Sequence, residues 1–133
     1  MLLPALVRDK AIVLIADDDQ ILAEAEKEFF ETLGCSVLLA QDGSQALELT
    51  RGSPSPTIVF LDLNMPLLSG EQYLDLKNED PKIKAIPVVV VSGHSPKAPL
   101  MGVSAVLPKP CIPADLRDLL ERCIRAAPHS DRH

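Results

Sequence analysis

Five short runs of apolar residues divide the chain, and each is bounded by polar or turn-forming residues. They are residues 11–16, 36–40, 57–61, 86–92 and 105–107. Their length and their content of valine and isoleucine are typical of strands buried on both faces of a sheet. Between most of them, apolar and charged residues alternate with helical spacing. This order of strands and helices predicts parallel βαβ units, with helices on both faces of one sheet.

Helix boundaries can be predicted from capping and helix-breaking residues. The first helix follows Asp19, a candidate N-cap, and stops before Gly34. The other predicted helices are residues 42–52, residues 70–80 and a C-terminal helix that begins near Pro113. The predicted apolar face of the first helix is Leu22, Ala25, Phe29 and Leu33.

The composition predicts one α/β domain and excludes some functions. The chain has 133 residues, of which 47% are hydrophobic and 24% charged, as in ordinary single-core domains. A formal net charge of −6 argues against nucleic-acid binding, which requires a basic face. No apolar run approaches the roughly 20 residues of a membrane helix, and the first ten residues do not resemble a secretory signal. We therefore expect a cytoplasmic protein without membrane contact.

The three cysteines, Cys35, Cys111 and Cys123, are odd in number and form no C-x-x-C pair. This pattern favours free thiols in a reducing compartment over a disulfide framework or a zinc site.

Polar residues directly follow four of the predicted strands. Asp17 and Asp18 follow the first, Asp62 the third, Ser92 the fourth and Lys109 the fifth. Each has an ordinary explanation when taken alone, such as a helix cap or a solvated lysine. The carboxyl ends of parallel strands, however, meet at one edge of a sheet, where ligands bind. We therefore expect three carboxylates, a hydroxyl and an ammonium to converge there.

Such a cluster of carboxylates requires compensating positive charge. Two carboxylates about 4 Å apart repel by about 4 kcal/mol at an effective dielectric constant near 20. Lys109 supplies part of the compensation, and a divalent cation would supply the rest. Oxygen ligands favour magnesium or manganese. An aspartate beside a hard cation and a lysine is suited to phosphoryl transfer.

With these residues identified, the chain resembles the receiver domain of a two-component response regulator. The resemblance is carried by the segments "VLIADDD", "AQDGSQALEL", "IVFLDLNMPLLSG", "IPVVVVSG" and "AVLPKP". It covers residues 11–126, which leaves residues 1–10 as an N-terminal extension and residues 127–133 as a flexible C-terminal tail. It implies a doubly wound, flavodoxin-like parallel sheet of five strands in the order 2-1-3-4-5.

The resemblance also implies a role for each polar residue at the edge. Asp62 matches the phosphoacceptor, which takes a phosphoryl group from a histidine kinase or a histidine-phosphotransfer protein. Asp17 and Asp18 match the acidic pair that binds Mg2+, or Mn2+, together with Asp62 and the backbone carbonyl of Asn64.

Further positions near the phosphoryl site also match. Ser92 matches the switch hydroxyl, and Lys109 the lysine that pairs with the phosphoryl group. The Lys109–Pro110 peptide matches a bond that is usually cis in the family. Gly93 is a small residue beside the phosphoryl site.

Other residues match positions that modulate the reaction or its partners. Asn64 and His94 stand at two variable positions that tune dephosphorylation, although a solvent-exposed loop histidine is an equal interpretation of His94. The first helix is the usual docking surface for the kinase, so that Leu22, Ala23 and Glu26 are candidate contacts.

Two features depart from the family pattern. The fifth strand usually carries an aromatic switch residue near Val106, and valine has no ring to change rotamer. The segment between Ser92 and Lys109 is about five residues shorter than usual and contains Pro96 and Pro99. We therefore predict that the family's fourth helix, between strands four and five, is missing or about one turn long.

The alternatives to a phosphoaccepting receiver are a pseudo-receiver and a hydrolase. A pseudo-receiver would keep the fold as a protein-interaction module without being phosphorylated. A hydrolase of the haloacid dehalogenase type would be an enzyme, but it requires an aspartate where Asn64 stands. We expect a receiver that is not an enzyme beyond its own phosphorylation and slow dephosphorylation. It would act alone or within a larger regulator or hybrid kinase.

Overall fold

The computed structural model describes residues 11–93 and 100–126, and they contain a sheet of five parallel strands. The strands are β1 (Ile12–Ala16), β2 (Ser36–Ala40), β3 (Ile58–Leu61), β4 (Val88–Ser92) and β5 (Ala105–Pro108). Their order is β2-β1-β3-β4-β5, and every neighbouring pair is parallel. The predicted doubly wound, flavodoxin-like sheet is therefore confirmed.

Four helices lie within the described residues. They are α1 (Gln20–Thr32), α2 (Gly43–Thr50), α3 (Gly70–Asn78) and α4 (Pro113–Ala126). The first three begin at a side-chain cap: Asp19, Asp42 and Ser69 each accept a hydrogen bond from a backbone N–H of the first turn. These caps satisfy donors that have no partner within the helix, and they fix where each helix starts.

The sheet separates two hydrophobic cores, and alternate residues of each strand contribute to opposite sides. Val13 and Ile15 pack into the core that contains residues of α1 and α4. Leu14 and Ala16 pack into the core that contains residues of α2 and α3. Because both faces of β1 are covered, its sequence is a continuous apolar run rather than an alternating pattern.

The predicted apolar face of α1 is confirmed at Phe29 and Leu33, which pack in the core, but it is wrong at Ala25. Ala25 is exposed, whereas Ala23 and Phe30 are buried. The ring of Phe30 lies 5.2 Å from that of Phe60 on β3, measured between centroids. This aromatic contact anchors α1 on the sheet.

The connection between β4 and β5 was predicted to lack a regular helix. Its described residues, 93 and 100–104, contain none. Residues 94–99, which include His94, Pro96 and Pro99, lie outside the described residues, as do the predicted extension and tail. Among the described residues, no helix is both long enough and apolar enough to cross a membrane.

The face of α3 that packs inwards carries polar groups that join it to its neighbours. The Tyr73 hydroxyl and Thr50 Oγ1 of α2 are hydrogen-bonded at 2.7 Å in the core. Lys77 is fully buried, and its Nζ donates to the carbonyl of Lys84 at 2.9 Å. Burial lowers the pKa of Lys77 to about 8. The charged form of Lys77 is thus disfavoured in the folded state, while its hydrogen bond holds the turn that leads to β4.

Replacement of Lys77 by methionine tests this cost of burial. Below pH 8 the wild-type protein carries the full penalty of a buried ammonium, because the unfolded chain binds the proton more tightly. Between pH 8 and 10.5 that penalty fades, so the wild type gains about 3 kcal/mol of unfolding free energy relative to Lys77→Met. Urea denaturation of both proteins across this range measures the difference. A difference that stays constant with pH would contradict the prediction.

Candidate functional site

Backbone hydrogen bonds extend the sheet to the residues that follow its strands. The N–H of Asp17 donates to Ala40 O at 3.0 Å, and the N–H of Asp62 donates to Ala16 O at 2.9 Å. The N–H of Lys109 donates to Ser92 O at 2.8 Å. Each residue is thus held by the last carbonyl of a neighbouring strand. The register of the sheet sets the relative positions of their side chains.

The ammonium of Lys109 lies between two buried carboxylates. Its Nζ is 2.8 Å from Asp17 Oδ2 and 3.3 Å from Asp62 Oδ2. The side chains of Asp17 and Asp62 are 5% and 8% exposed, and that of Lys109 is 21% exposed. Two partly desolvated ion pairs share one cation here. Such pairs are stronger than surface pairs, but they carry a cost of dehydration.

The second oxygen of each buried carboxylate accepts a backbone hydrogen bond. Asp17 Oδ1 accepts from the N–H of Asp19 at 2.9 Å, and Asp62 Oδ1 accepts from the N–H of Asn64 at 3.1 Å. The Asp19 side chain accepts a hydrogen bond from the N–H of Leu22 and so caps α1. These short local bonds fix the orientation of both carboxylates.

Asp18 adds a third carboxylate that is exposed to solvent. Oxygens of Asp17, Asp18 and Asp62 all lie within 4.8 Å of one another. Three carboxylates against one ammonium leave two formal negative charges uncompensated. Clustered carboxylate oxygens are the ligands that hard divalent cations prefer. The residues therefore fit a magnesium or manganese site.

The electrostatics of the site oppose the ionised form of Asp62. Burial is the largest effect and raises the pKa of Asp62. The Asn64 N–H and Lys109 only partly oppose this rise, and the charge of Asp17 adds to it. Burial by itself would lower the pKa of Lys109. The hydrogen bond and charge of Asp17, followed by the charge of Asp62, outweigh that effect and raise it. The site therefore favours the cationic form of Lys109. The positive charge near Asp62 does not fully offset the cost of burying its carboxylate.

The fold and this charge cluster match a known family of domains. Residues 13–121 match the family model described as the response regulator receiver domain. The chain belongs to the response regulator receiver domain family. It is 32% identical over 119 residues to the Regulator of RpoS of Escherichia coli K12. The match covers 84% of this chain but 34% of that protein, so the chain spans about a third of the relative's length.

Solved structures show the same similarity. The receiver domain of the Francisella response regulator 1452 is 26% identical and has a TM-score of 0.76, over 87% of this chain and 98% of that one. The receiver domain of the sensor histidine kinase PA1611 of Pseudomonas aeruginosa has a TM-score of 0.78 at 20% identity, over 87% and 98% of the two chains. That structure contains a magnesium ion coordinated in its active-site cleft.

Ser92, Gly93 and the Lys109–Pro110 peptide, which were also predicted for the receiver site, lie at or directly after the ends of β4 and β5. Ser92 is the last residue of β4 and is buried, and the Lys109–Pro110 peptide is cis. Gly93 is exposed, and a Cβ atom added to it would meet nothing within 4 Å, so packing does not require a glycine there. Val106 is 47% exposed on β5. His94 lies outside the described residues.

Glu26 is a half-buried carboxylate on α1 whose burial the sequence interpretation missed. Burial, the largest effect, and the charges of Asp17 and Asp19 raise its pKa to about 7, against the opposing charge of Lys109. Glu26 therefore belongs to the electrostatic environment of the receiver site. Its spacing from Ala23 and Phe30, three and four residues, could have indicated a place on the buried stripe.

The structure contradicts one of the three predicted docking contacts on α1, Ala23, and leaves the other two partly exposed. Ala23 is 3% exposed and cannot contact a partner, and Leu22 and Glu26 are half-buried. Ile21, which the sequence interpretation did not select, is 86% exposed in the first turn. A docking surface on α1 would therefore centre on Ile21.

The loop after Asp62 holds a strained backbone position. Leu67 has a φ of 67°, and the N–H of Leu68 donates to Pro66 O at 2.8 Å across it. A non-glycine residue rarely adopts this conformation, and such strain is concentrated near functional sites. Close packing holds the loop, since a Cβ atom at Gly70 would lie 2.6 Å from Leu63 Cα.

Replacement of Lys109 by methionine tests its role in the receiver site. The variant leaves Asp17 and Asp62 buried without a cation. We expect the unfolding free energy at pH 7 without divalent metal to fall by roughly 2–4 kcal/mol, since breaking a buried pair leaves an uncompensated charge. Urea denaturation measures this loss.

Lys82→Met provides the matched control, because Lys82 is exposed and its side chain lies outside the site. Its effect should stay within about 0.5 kcal/mol. If Lys109→Met were as harmless as this control, the ammonium would not be balancing the carboxylates.

Proposed function

We propose that this receiver domain accepts a phosphoryl group on Asp62 from a phosphohistidine of a histidine kinase or a histidine-phosphotransfer protein. The observation that carries the proposal is the contact of one ammonium with Asp17 and Asp62 beside the exposed carboxylate of Asp18. It combines a nucleophile, a fixed cation and a set of metal ligands at the edge where α/β sheets bind ligands.

In the proposed reaction, a carboxylate oxygen of Asp62 attacks the phosphorus atom. The bond between phosphorus and the donor imidazole nitrogen breaks, and that nitrogen keeps the electron pair. Lys109 Nζ, 3.3 Å from Asp62 Oδ2, is close enough to offset negative charge on the transferred group. The Ser92 hydroxyl, at the end of the adjacent strand β4, would donate to a phosphoryl oxygen.

Asp17, Asp18 and Asp62, with the backbone carbonyl of Asn64, would hold Mg2+ or Mn2+. Bound there, the cation would supply positive charge against the phosphoryl oxygens. The proposal is supported by the oxygen-only donor set and by the magnesium in the receiver domain of PA1611. A receiver of this kind acts on itself and not on an external substrate.

The donor domain would dock near Ile21, which lies four residues after Asp17 at the start of α1. Its side chain is 86% exposed and is therefore available to a partner. This position would bring an incoming phosphohistidine close to the acidic cluster.

A pseudo-receiver that binds partners without phosphorylation is the second candidate. The exposed Val106 favours it, because valine lacks the aromatic ring that couples phosphorylation to the output face in the family. The clustering of Asp17, Asp18 and Asp62 within 4.8 Å, with Lys109 bonded to two of them, favours phosphorylation.

Intact-mass measurement after incubation with acetyl phosphate and Mg2+ separates the two candidates. We expect the wild type to gain the mass of one phosphoryl group, and Asp62→Asn to gain none. Asp75→Asn, an exposed carboxylate on α3, is the matched control and should be labelled like the wild type. Chelation of Mg2+ should abolish the gain.

Some receivers accept a phosphoryl group only from a protein donor. The same assay is therefore run with a phosphorylated histidine-phosphotransfer domain. Failure of both donors to label the wild type in the presence of Mg2+ would contradict the proposal and support the pseudo-receiver.

A further inference from the structure

A groove of about 720 Å³ lies between α3 and the segment that leads into β5. Its lining includes three carboxylates on the side of α3, one lysine, Lys84, and two apolar residues on the other side, Leu100 and Met101. The carboxylates are those of Glu71, Asp75 and Glu79, so they outnumber the lysine by three to one. None of its lining residues belongs to the cluster of Asp17, Asp18, Asp62 and Lys109. The groove is therefore a separate feature of the surface.

The wall formed by α3 is acidic. Glu71, Asp75 and Glu79 follow one another at intervals of four residues, so they lie on the same side of successive turns over about 12 Å. All three are exposed, and none has an ion-pair partner within 4.0 Å in the described part of the chain. Like charges at this spacing repel one another. A cationic partner would relieve that repulsion.

On the opposite wall, an exposed methionine is held by a hydrogen bond to its backbone. Met101 is 80% exposed, yet its carbonyl accepts a hydrogen bond from Asn78 Nδ2 at 3.0 Å. Gly102 follows it with a φ of 74° and packs tightly on Asn78, since a Cβ atom there would lie 2.3 Å from Asn78 Oδ1. An exposed methionine adapts well to apolar partners.

Both walls are fixed before any partner binds. The core contact of Tyr73 with Thr50 and the bond of Lys77 to Lys84 hold α3, and Asn78 holds the turn at Met101. A preformed groove loses little conformational entropy when it is filled.

We propose that this groove binds a basic amphipathic helix of a partner protein. The helix lies beside α3, with lysines or arginines at four-residue spacing against Glu71, Asp75 and Glu79. Its apolar stripe covers Leu100 and Met101. Charge complementarity selects this occupant, because an anionic membrane, a nucleic acid or a second copy of this acidic chain would bring more negative charge. The proposal does not depend on phosphorylation of Asp62.

The test uses a fluorescent helical peptide of about 18 residues, with lysines every fourth position beside a leucine stripe. A second probe replaces each lysine by glutamate. Fluorescence anisotropy with the full chain measures both affinities. We expect the basic probe to bind, with an affinity that falls as salt rises, and the acidic probe not to bind.

Charge reversal locates the site of binding. Asp75→Lys/Glu79→Lys should weaken binding of the basic probe by about tenfold or more. Glu28→Lys/Glu48→Lys changes the net charge equally at exposed positions on α1 and α2 and should leave the affinity within about twofold. Circular dichroism melting checks that both variants fold.

Three results would overturn the proposal. They are an absence of binding at roughly 100 μM probe, an equal loss of affinity in the two charge-reversal variants, and equal binding of the acidic probe. Sedimentation equilibrium tests whether a second copy of the chain occupies the groove. A wild-type dimer that Asp75→Lys/Glu79→Lys dissociates would assign the groove to a second copy of the chain and would also overturn the proposal.

Discussion

The contact of the Lys109 ammonium with two buried carboxylates is the interaction on which the site depends. Asp17 and Asp62 follow neighbouring strands, β1 and β3, so their side chains repel one another unless a cation lies between them. Lys109 supplies that cation from the edge strand β5, at 2.8 and 3.3 Å. The balance is incomplete, because Asp18 adds a third carboxylate and the pKa of Asp62 stays raised. The folded protein therefore keeps an excess of negative charge at the place where receiver domains bind a metal ion. Repulsion between these carboxylates lowers the stability of the folded state.

Much of this arrangement could be predicted from the sequence because parallel strands impose it. Apolar runs that end in polar residues mark strand ends, and the carboxyl ends of parallel strands share one edge. That reasoning brings Asp17, Asp62 and Lys109 together without any knowledge of distances. In the structure, the backbone N–H groups of these three residues are held by hydrogen bonds to the carbonyls of neighbouring strands. The acceptors are Ala40, Ala16 and Ser92.

Features set by packing between distant elements could not be predicted in this way. The inward side of α1 includes a half-buried carboxylate, Glu26, and excludes the apolar Ala25. The contact of Phe30 with Phe60 holds this side of the helix against the sheet. The burial of Lys77 has no signal in the sequence, because only the fold covers it and directs its Nζ to the Lys84 carbonyl. The groove beside α3 depends on where Leu100, Met101 and Gly102 lie, which hydrophobic periodicity does not specify.

The carboxylates at the sheet edge exceed the positive charge that Lys109 supplies. The most direct test compares the unfolding free energies of the wild type and Asp62→Asn by urea denaturation at pH 7, with chelator and then with Mg2+. Because burial raises the pKa of Asp62, its ionised form costs stability at this pH, and that cost fades only as the pH falls. Asp62→Asn should therefore be the more stable protein in chelator, and Mg2+ should stabilise the wild type more than the variant. A variant that is less stable in chelator and responds equally to Mg2+ would contradict the claim.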